Sequence, residues 1–166
     1  MKIVGFTLVE NEVKMVLKSD SSLMVNRKPF FIPDWSEDIR YVPCVVVRVC
    51  KLGKHIAAKF ASRYYDAIAP AMNLYAEDYR KQGDAVRTWA FDNSLPVGVF
   101  VSLDVWMPND LIIGVDEAIS DISRVMTLRQ GDLIFIDRTT SARQVVRDEV
   151  IREEIDGNEV LYCKIK

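Results

Sequence analysis

The chemically reactive side chains of this sequence are few and lie far apart along the chain. His55 is the only histidine, and it follows Gly53 and Lys54 where a β-branched run ends. A serine or cysteine nucleophile needs a base within hydrogen-bonding distance, and no Ser-His-Asp or Cys-His pair can be assembled from the sequence. We therefore expect His55 to be a surface residue and not a catalytic base.

The three cysteines, Cys44, Cys50 and Cys163, show neither the spacing of a zinc site nor an even count that would indicate a disulfide framework. Reduced thiols in a cytoplasmic protein are the simplest interpretation. As buried cysteines often behave as small apolar residues, we expect them to have structural roles.

An acidic run near the C-terminus contains Glu149, Glu153 and Glu154. It has the residue types of a catalytic or metal-binding site. In a charged edge hairpin, however, such a run is more often a solvated face, and this is the interpretation that we favour.

Composition limits the classes of function. The chain has 166 residues, 49% of them hydrophobic, which predicts a single domain over residues 1–166 with its own core. The net charge is -2, so no basic field attracts nucleic acid or anionic lipid. No stretch approaches the roughly 18 apolar residues of a membrane span. We expect a cytoplasmic protein without a nucleic-acid or membrane partner.

The elements that position these residues follow from apolar periodicity. Amphipathic spacing predicts helices over residues 56–65 and 115–126, and a shorter helix over residues 74–81 with Asn73 as N-cap and Gly83 as its stop. Strands in hairpins are predicted within residues 1–31, buried strands over residues 45–49 and 133–136, and two closing strands around the turn at residues 156–158.

Residues 29–56, with the sequence PFFIPDWSEDIRYVPCVVVRVCKLGKHI, resemble the start of the catalytic domain of the fumarylacetoacetate hydrolase family. Its members hydrolyse, isomerise or decarboxylate 2-oxo and β-diketo acids around Mg, Mn or Ca. The resemblance implies an α+β fold, a mixed β-roll or sandwich with a few short helices, shortened at the N-terminus and after Val101. It also implies an extended segment over residues 67–73, where periodicity alone would continue the preceding helix as far as Pro70.

The resemblance places the family's three carboxylate metal ligands at Val42, Cys44 and Asn73, none of which is a carboxylate. A hard divalent ion usually requires carboxylate charge to offset its dehydration. We therefore expect no metal cofactor, and we expect the former metal pocket to be apolar core lined by Val42, Cys44 and the ring of Trp89.

Five further positions match substrate-pocket segments of the family: Lys18, Trp89, Asp92, Ser94 and Arg138. Lys18 begins a segment resembling Lys-Pro-x-Ser, whereas Trp89 replaces a lysine that contacts substrate. Asp92 and Ser94 belong to a matching Phe-Asp-x-Ser segment. Arg138 lies where the family has Thr-Gly-Thr-Pro. Its charge is suited to binding an anion, but the interpretation that we favour is a solvated loop residue.

Two hypotheses of function follow from this resemblance. The first is a catalytically degenerate family member that acts as a binding or assembly partner. The second is an active hydrolase, isomerase or decarboxylase of a 2-oxo or β-diketo acid with altered or metal-free chemistry. Members of the family are typically dimers that act on such acids, so the resemblance implies a homodimer and a small 2-oxo acid as a possible ligand.

Overall fold

The computed structural model describes residues 1–166, which form ten strands, three α-helices and two 3-10 helices. The strands are β1 Ile3–Val9, β2 Glu12–Lys18, β3 Leu23–Val25, β4 Ile39–Val49, β5 Tyr65–Ala76, β6 Leu95–Val97, β7 Leu133–Asp137, β8 Arg143–Gln144, β9 Val150–Ile155 and β10 Asn158–Lys164. The α-helices are α1 Glu77–Lys81, α2 Ala85–Trp89 and α3 Val115–Val125, and the 3-10 helices are Asp20–Ser22 and Ala58–Arg63.

Eight strands form one mixed sheet in the order β2, β1, β7, β4, β5, β6 and β3, with β8 paired to β4. Strand β1 runs parallel to β7, whereas β4 is antiparallel to both β5 and β7. The register places Val42 opposite Asn73, and Cys44 opposite Asp137. Because side chains alternate along a strand, these four residues project from the same face of the sheet.

The central strands of the sheet, β4, β5 and β7, are buried on both faces. One face packs against α3, whose Ile119 and Ile122 lie over Val45, Val47 and Ile134. This apolar stripe, at the spacing of an amphipathic helix, fixes α3 on the sheet. The opposite face, which we call the inner face, carries a second apolar cluster that contains Cys44, Val46, Phe135 and Leu95.

Strands β9 and β10 form a separate antiparallel ribbon that closes the chain. Asp156 and Gly157 turn the ribbon with positive φ angles of 51° and 78°, which suits a tight hairpin turn. Leu161 and Cys163 of the ribbon pack with Leu74 in a further apolar cluster. None of the helices has the length and apolar character needed to cross a bilayer.

The predicted α+β class is confirmed, as are α3, the first hairpin, the buried strands and the closing ribbon. The extended segment implied for residues 67–73 is confirmed and forms part of β5. Gly83, with a φ of 76°, follows the end of α1 as predicted.

Three local predictions are wrong. Residues 56–65 contain a 3-10 helix, not an α-helix, and Phe60 is exposed while Ile56 is buried. The next helix begins at Glu77 because β5 pairs with β4 as far as Ala76, so Asn73 is a buried strand residue and not an N-cap. Phe30 forms only an isolated bridge with Ile165 and is not part of a strand.

Candidate functional site

A group of polar side chains is buried on the inner face, where apolar residues would be expected. Thr7, Lys18, Asn73 and Asp137 are each at most 2% exposed, and Cys44 is fully buried. Buried polar groups are costly unless they are hydrogen-bonded, so this cluster needs internal partners. We call these five residues the inner polar cluster.

Lys18 lies at the end of β2 and connects several segments. Its Nζ donates to the carbonyl oxygens of Leu74 at 2.9 Å and Trp89 at 3.0 Å. It also lies 3.1 Å from the Ser94 hydroxyl and 3.3 Å from the Ser94 carbonyl oxygen. Burial lowers the pKa of Lys18 to about 7, because the charged ammonium group loses its hydration. Lys18 therefore holds β2, β5 and the loop before β6 together.

Asp137 ends β7 and is the carboxylate of the cluster. It accepts hydrogen bonds from Thr7 Oγ1 at 2.6 Å and from Asn73 Nδ2 at 3.0 Å. Burial nevertheless raises the pKa of Asp137 to about 7, because the charged form loses its hydration. Asn73 Oδ1, on the same amide group, is buried without any hydrogen-bond partner.

The residues present do not fit a hard divalent metal ion. Val42 has no donor atom, and burial raises the pKa of the Cys44 thiol well above its usual value, which keeps it neutral. Asn73 directs its amide nitrogen to Asp137, the only carboxylate of the cluster. No three His, Cys, Asp or Glu side chains are grouped as a metal site requires. A single carboxylate beside a lysine is a poor donor set for Mg²⁺.

A cavity of about 380 Å³ opens beside the cluster. Asp137 is its buried floor, Val42 and Tyr75 form a wall, and the exposed residues 139–141 form much of the rim. The prediction that this pocket is filled by apolar core is therefore wrong. Val42 and Trp89 are buried as expected, but hydroxyl groups and a carboxylate line the remaining space.

The ring of Trp89 turns away from this cavity. It packs 5.2 Å from the ring of Tyr75, in a small apolar cluster with Val42. On its other side Trp89 lines a separate apolar groove with Met15 and Leu17. The indole thus separates the cavity from the groove and makes no polar contact in either.

Of the other predicted pocket residues, Ser94 is brought together with Lys18 and Trp89, whereas Asp92 is not. Ser94 is buried beside Lys18. Asp92 is exposed, accepts a hydrogen bond from the Ser21 hydroxyl at 2.6 Å and lies at a different cleft, with Phe31 and Trp35.

Arg138 lines the cavity, but it is not the solvated loop residue that we predicted. Its Nε lies 2.9 Å and 3.1 Å from the two carboxylate oxygens of Asp110. Its Nη1 lies 3.7 Å from Glu153. The guanidinium is three-quarters buried and is already paired with two carboxylates.

The remaining reactive residues lie outside the cluster. His55 is exposed, as predicted. Of the acidic run, Glu154 is exposed and Glu149 pairs with Arg143. Glu153 differs from the prediction of a solvated face, because it is partly buried and burial raises its pKa.

The sequence reasoning missed Thr7 and Asp137 as site residues. Each had a detectable signal, since a polar residue within or at the end of an otherwise apolar run marks a buried polar position. This signal does not identify which residue is the hydrogen-bond partner. Thr7 and Asp137 are 130 residues apart and meet only through the parallel pairing of β1 with β7.

No protein-family model and no curated protein matches this sequence. Solved structures do match over 99% of the chain. A 2-hydroxyhepta-2,4-diene-1,7-dioate isomerase from Mycobacterium marinum superposes with a TM-score of 0.87 at 20% identity, over 73% of its own chain. A fumarylpyruvate hydrolase from Pseudomonas aeruginosa, in complex with Mn²⁺ and pyruvate, gives a TM-score of 0.85 at 20% identity over 89% of its chain.

A 5-carboxymethyl-2-hydroxymuconate delta-isomerase from Mycobacterium smegmatis gives a TM-score of 0.85 at 15% identity over 78% of its chain. The chain has the fumarylacetoacetate hydrolase fold. At this level of identity the likeness concerns the fold alone, so the function of the fumarylacetoacetate hydrolase-like chain has to be argued from its own residues.

Proposed function

We propose that this protein is a metal-independent, non-catalytic form of the fumarylacetoacetate hydrolase fold that works by binding a small molecule or a protein partner. The observation that carries the proposal is the donor set of the inner polar cluster. The family's ligand positions hold a valine, a neutral buried thiol and an amide, Val42, Cys44 and Asn73, so the charge that would hold a divalent ion is absent.

Catalysis of the family's kind also needs a positive charge where an enolate or oxyanion develops. The corresponding residue, Trp89, presents an indole ring packed on Tyr75. The nearest replacement, Lys18, donates to backbone carbonyl oxygens and Ser94, so its ammonium group is occupied within the protein. No unoccupied cation therefore faces a reacting oxygen in this cluster.

We further propose that the protein is a cytoplasmic homodimer. Three free cysteines support a reducing compartment. Two grooves that share Val86 and Ala90 form one apolar surface. Leu17, Phe31 and Val86 on this surface are 56%, 65% and 72% exposed, so three large apolar side chains meet solvent close together, as at protein interaction sites. A second copy of the chain is the occupant that we assign to this surface.

The rival function is an enzyme that acts on a 2-oxo acid by metal-free chemistry. One observation favours it: Asp137 faces the cavity with a pKa raised to about 7, near the value that suits a general base. A 2-oxo acid would then be the ligand of the cavity.

A turnover assay with an acylpyruvate, with and without Mg²⁺ or Mn²⁺, separates the two functions. We expect no turnover above the uncatalysed rate under either condition. Turnover that requires no metal and is lost in Asp137→Asn would establish the rival. Turnover that requires the metal would show that the ligand set has been wrongly assigned.

A further inference from the structure

The cavity above Asp137 has a composition that indicates which ligands it can hold. Its rim carries the exposed hydroxyl and amide side chains of Asn11, Thr139, Thr140 and Ser141, beside the exposed apolar Leu8. Hydroxyl groups both donate and accept hydrogen bonds, so the rim favours neither sign of charge.

The floor of the cavity is rich in acceptors. A carboxylate offers about four lone-pair sites, and Asp137 receives its hydrogen bonds from only Thr7 and Asn73. The Asn73 amide that donates to Asp137 does not itself line the cavity, so Asp137 is the acceptor that a ligand would meet. A molecule that brings hydrogen-bond donors to this floor would use the lone-pair sites of Asp137 that Thr7 and Asn73 leave free.

The floor and walls do not suit an anion. Arg138, the only cationic side chain that lines the cavity, is held by Asp110 and Glu153. A bound carboxylate would therefore face the Asp137 carboxyl group without a free cation. An organic cation would meet Asp137 as the only carboxylate that lines the cavity, because Asp110 and Glu153 lie outside it and are paired with Arg138.

We propose that this cavity binds a small, uncharged polyhydroxylated molecule, whose hydroxyl groups donate to Asp137 and accept from the rim at Thr139 to Ser141. Tyr75 and Val42 provide an apolar wall for the carbon skeleton of such a molecule. The volume of about 380 Å³ is that of a site for a small ligand. This inference rests on the proposed binding function and names the ligand class of the same cavity.

Titration of the ¹⁵N-labelled protein followed by NMR tests the inference at the millimolar affinities expected of small polyols. The probes are D-ribose and erythritol, with pyruvate as the anionic comparison. We expect saturable shifts of the backbone amides of Thr139, Thr140 and Ser141 with at least one polyol, and none with pyruvate.

A matched pair of variants tests the location. Thr140→Val removes a rim hydroxyl and should weaken polyol binding roughly fivefold, as loss of one hydrogen bond would. Thr127→Val makes the same change outside the cavity and should leave the affinity unchanged. Both residues are at least partly exposed, so neither variant should prevent folding.

The outcomes separate this inference from the proposed function. Saturable shifts with pyruvate alone, or no saturable shift with either polyol, would overturn the polyol assignment and leave a non-catalytic protein. Turnover of an acylpyruvate would overturn the proposed function itself, whatever the NMR titration shows.

Discussion

At the scale of single residues, the inner polar cluster is the feature that departs most from an ordinary protein core. Lys18 and Asp137 are both buried. They do not hydrogen-bond to each other, and each has its own separate partners. Removing one side chain from a buried charged network leaves the remaining polar groups without partners, which strongly destabilises the fold. The cluster is therefore a structural feature as well as the floor of the cavity.

Replacing Lys18 by methionine tests this structural role. Lys18→Met keeps most of the side-chain volume but removes the donors to Leu74 and Trp89 and the positive charge near Asp137. We expect the free energy of unfolding to fall by about 3 kcal/mol in chemical denaturation. Lys14→Met is the matched control on the same strand: Lys14 is exposed, so its replacement should leave the free energy of unfolding nearly unchanged. Equal effects of the two variants would contradict the role.

The raised pKa of Asp137 predicts how stability depends on pH. The folded protein keeps a proton on Asp137 between 3.8 and about 7, where the unfolded chain has released it. This group's contribution to stability is therefore fully present below about pH 4 and is lost as the pH rises to about 7.

The difference between these two pKa values corresponds to about 4 kcal/mol, taken as an upper bound. Chemical denaturation of the wild type and of Asp137→Asn at several pH values measures it. Relative to the variant, the wild type should lose stability between pH 4 and pH 7. A wild type that instead becomes more stable relative to Asp137→Asn between pH 4 and pH 7 would show that Asp137 is ionised throughout.

At the scale of secondary structure elements, the two faces of the sheet have separate tasks. The face opposite the inner face, which we call the outer face, packs with α3. The inner face carries the inner polar cluster and the cavity. Damage to the outer face should therefore reduce stability without changing ligand binding.

The variant Ile122→Ala tests this separation. Ile122 is fully buried between α3 and the sheet, so the cavity left behind should lower the free energy of unfolding by about 2–5 kcal/mol. Val125 lies on the same helix and is 63% exposed, so Val125→Ala should change the free energy of unfolding little. Denaturant titration measures both. Loss of polyol binding in folded Ile122→Ala protein would contradict the independence of the two faces.

Elements with strong periodicity could be predicted from the sequence, and those set by pairing could not. The spacing of Val115, Ile119 and Ile122 is sufficient to identify α3. The prediction that Asn73 is an N-cap rests on the helix preference of the local sequence. That preference takes no account of the pairing with β4, which extends β5 to Ala76. Residues 56–65 have helical spacing, but they form a single 3-10 segment from Ala58 to Arg63.

The candidate site shows the same limit. The identities at Val42, Cys44 and Asn73 follow from the sequence and its family resemblance, whereas the contact of Thr7 with Asp137 depends on the parallel pairing of distant strands. The expected apolar pocket is wrong because a polar residue outside the three replaced positions lines it. Asp137 supplies a carboxylate from a neighbouring strand.

At the scale of the whole molecule, the exposed apolar surface around Val86 predicts self-association. Sedimentation velocity over a micromolar concentration series should show a homodimer. Val86→Glu places a charge on this surface and should shift the protein to a monomer, whereas Val125→Glu, on an exposed position of α3, should leave the dimer intact. A wild type that is monomeric across the series would contradict the proposed dimer.

The central claim is that this fold has lost its divalent metal site, and calorimetric titration with Mg²⁺ and Mn²⁺ tests it most directly. A triple variant, Val42→Glu, Cys44→Glu and Asn73→Asp, places three carboxylates on one face of the paired strands β4 and β5 and serves as the positive control. We expect no saturable heat with the wild type and measurable binding with the triple variant. Stoichiometric, saturable binding of either ion by the wild type would contradict the claim.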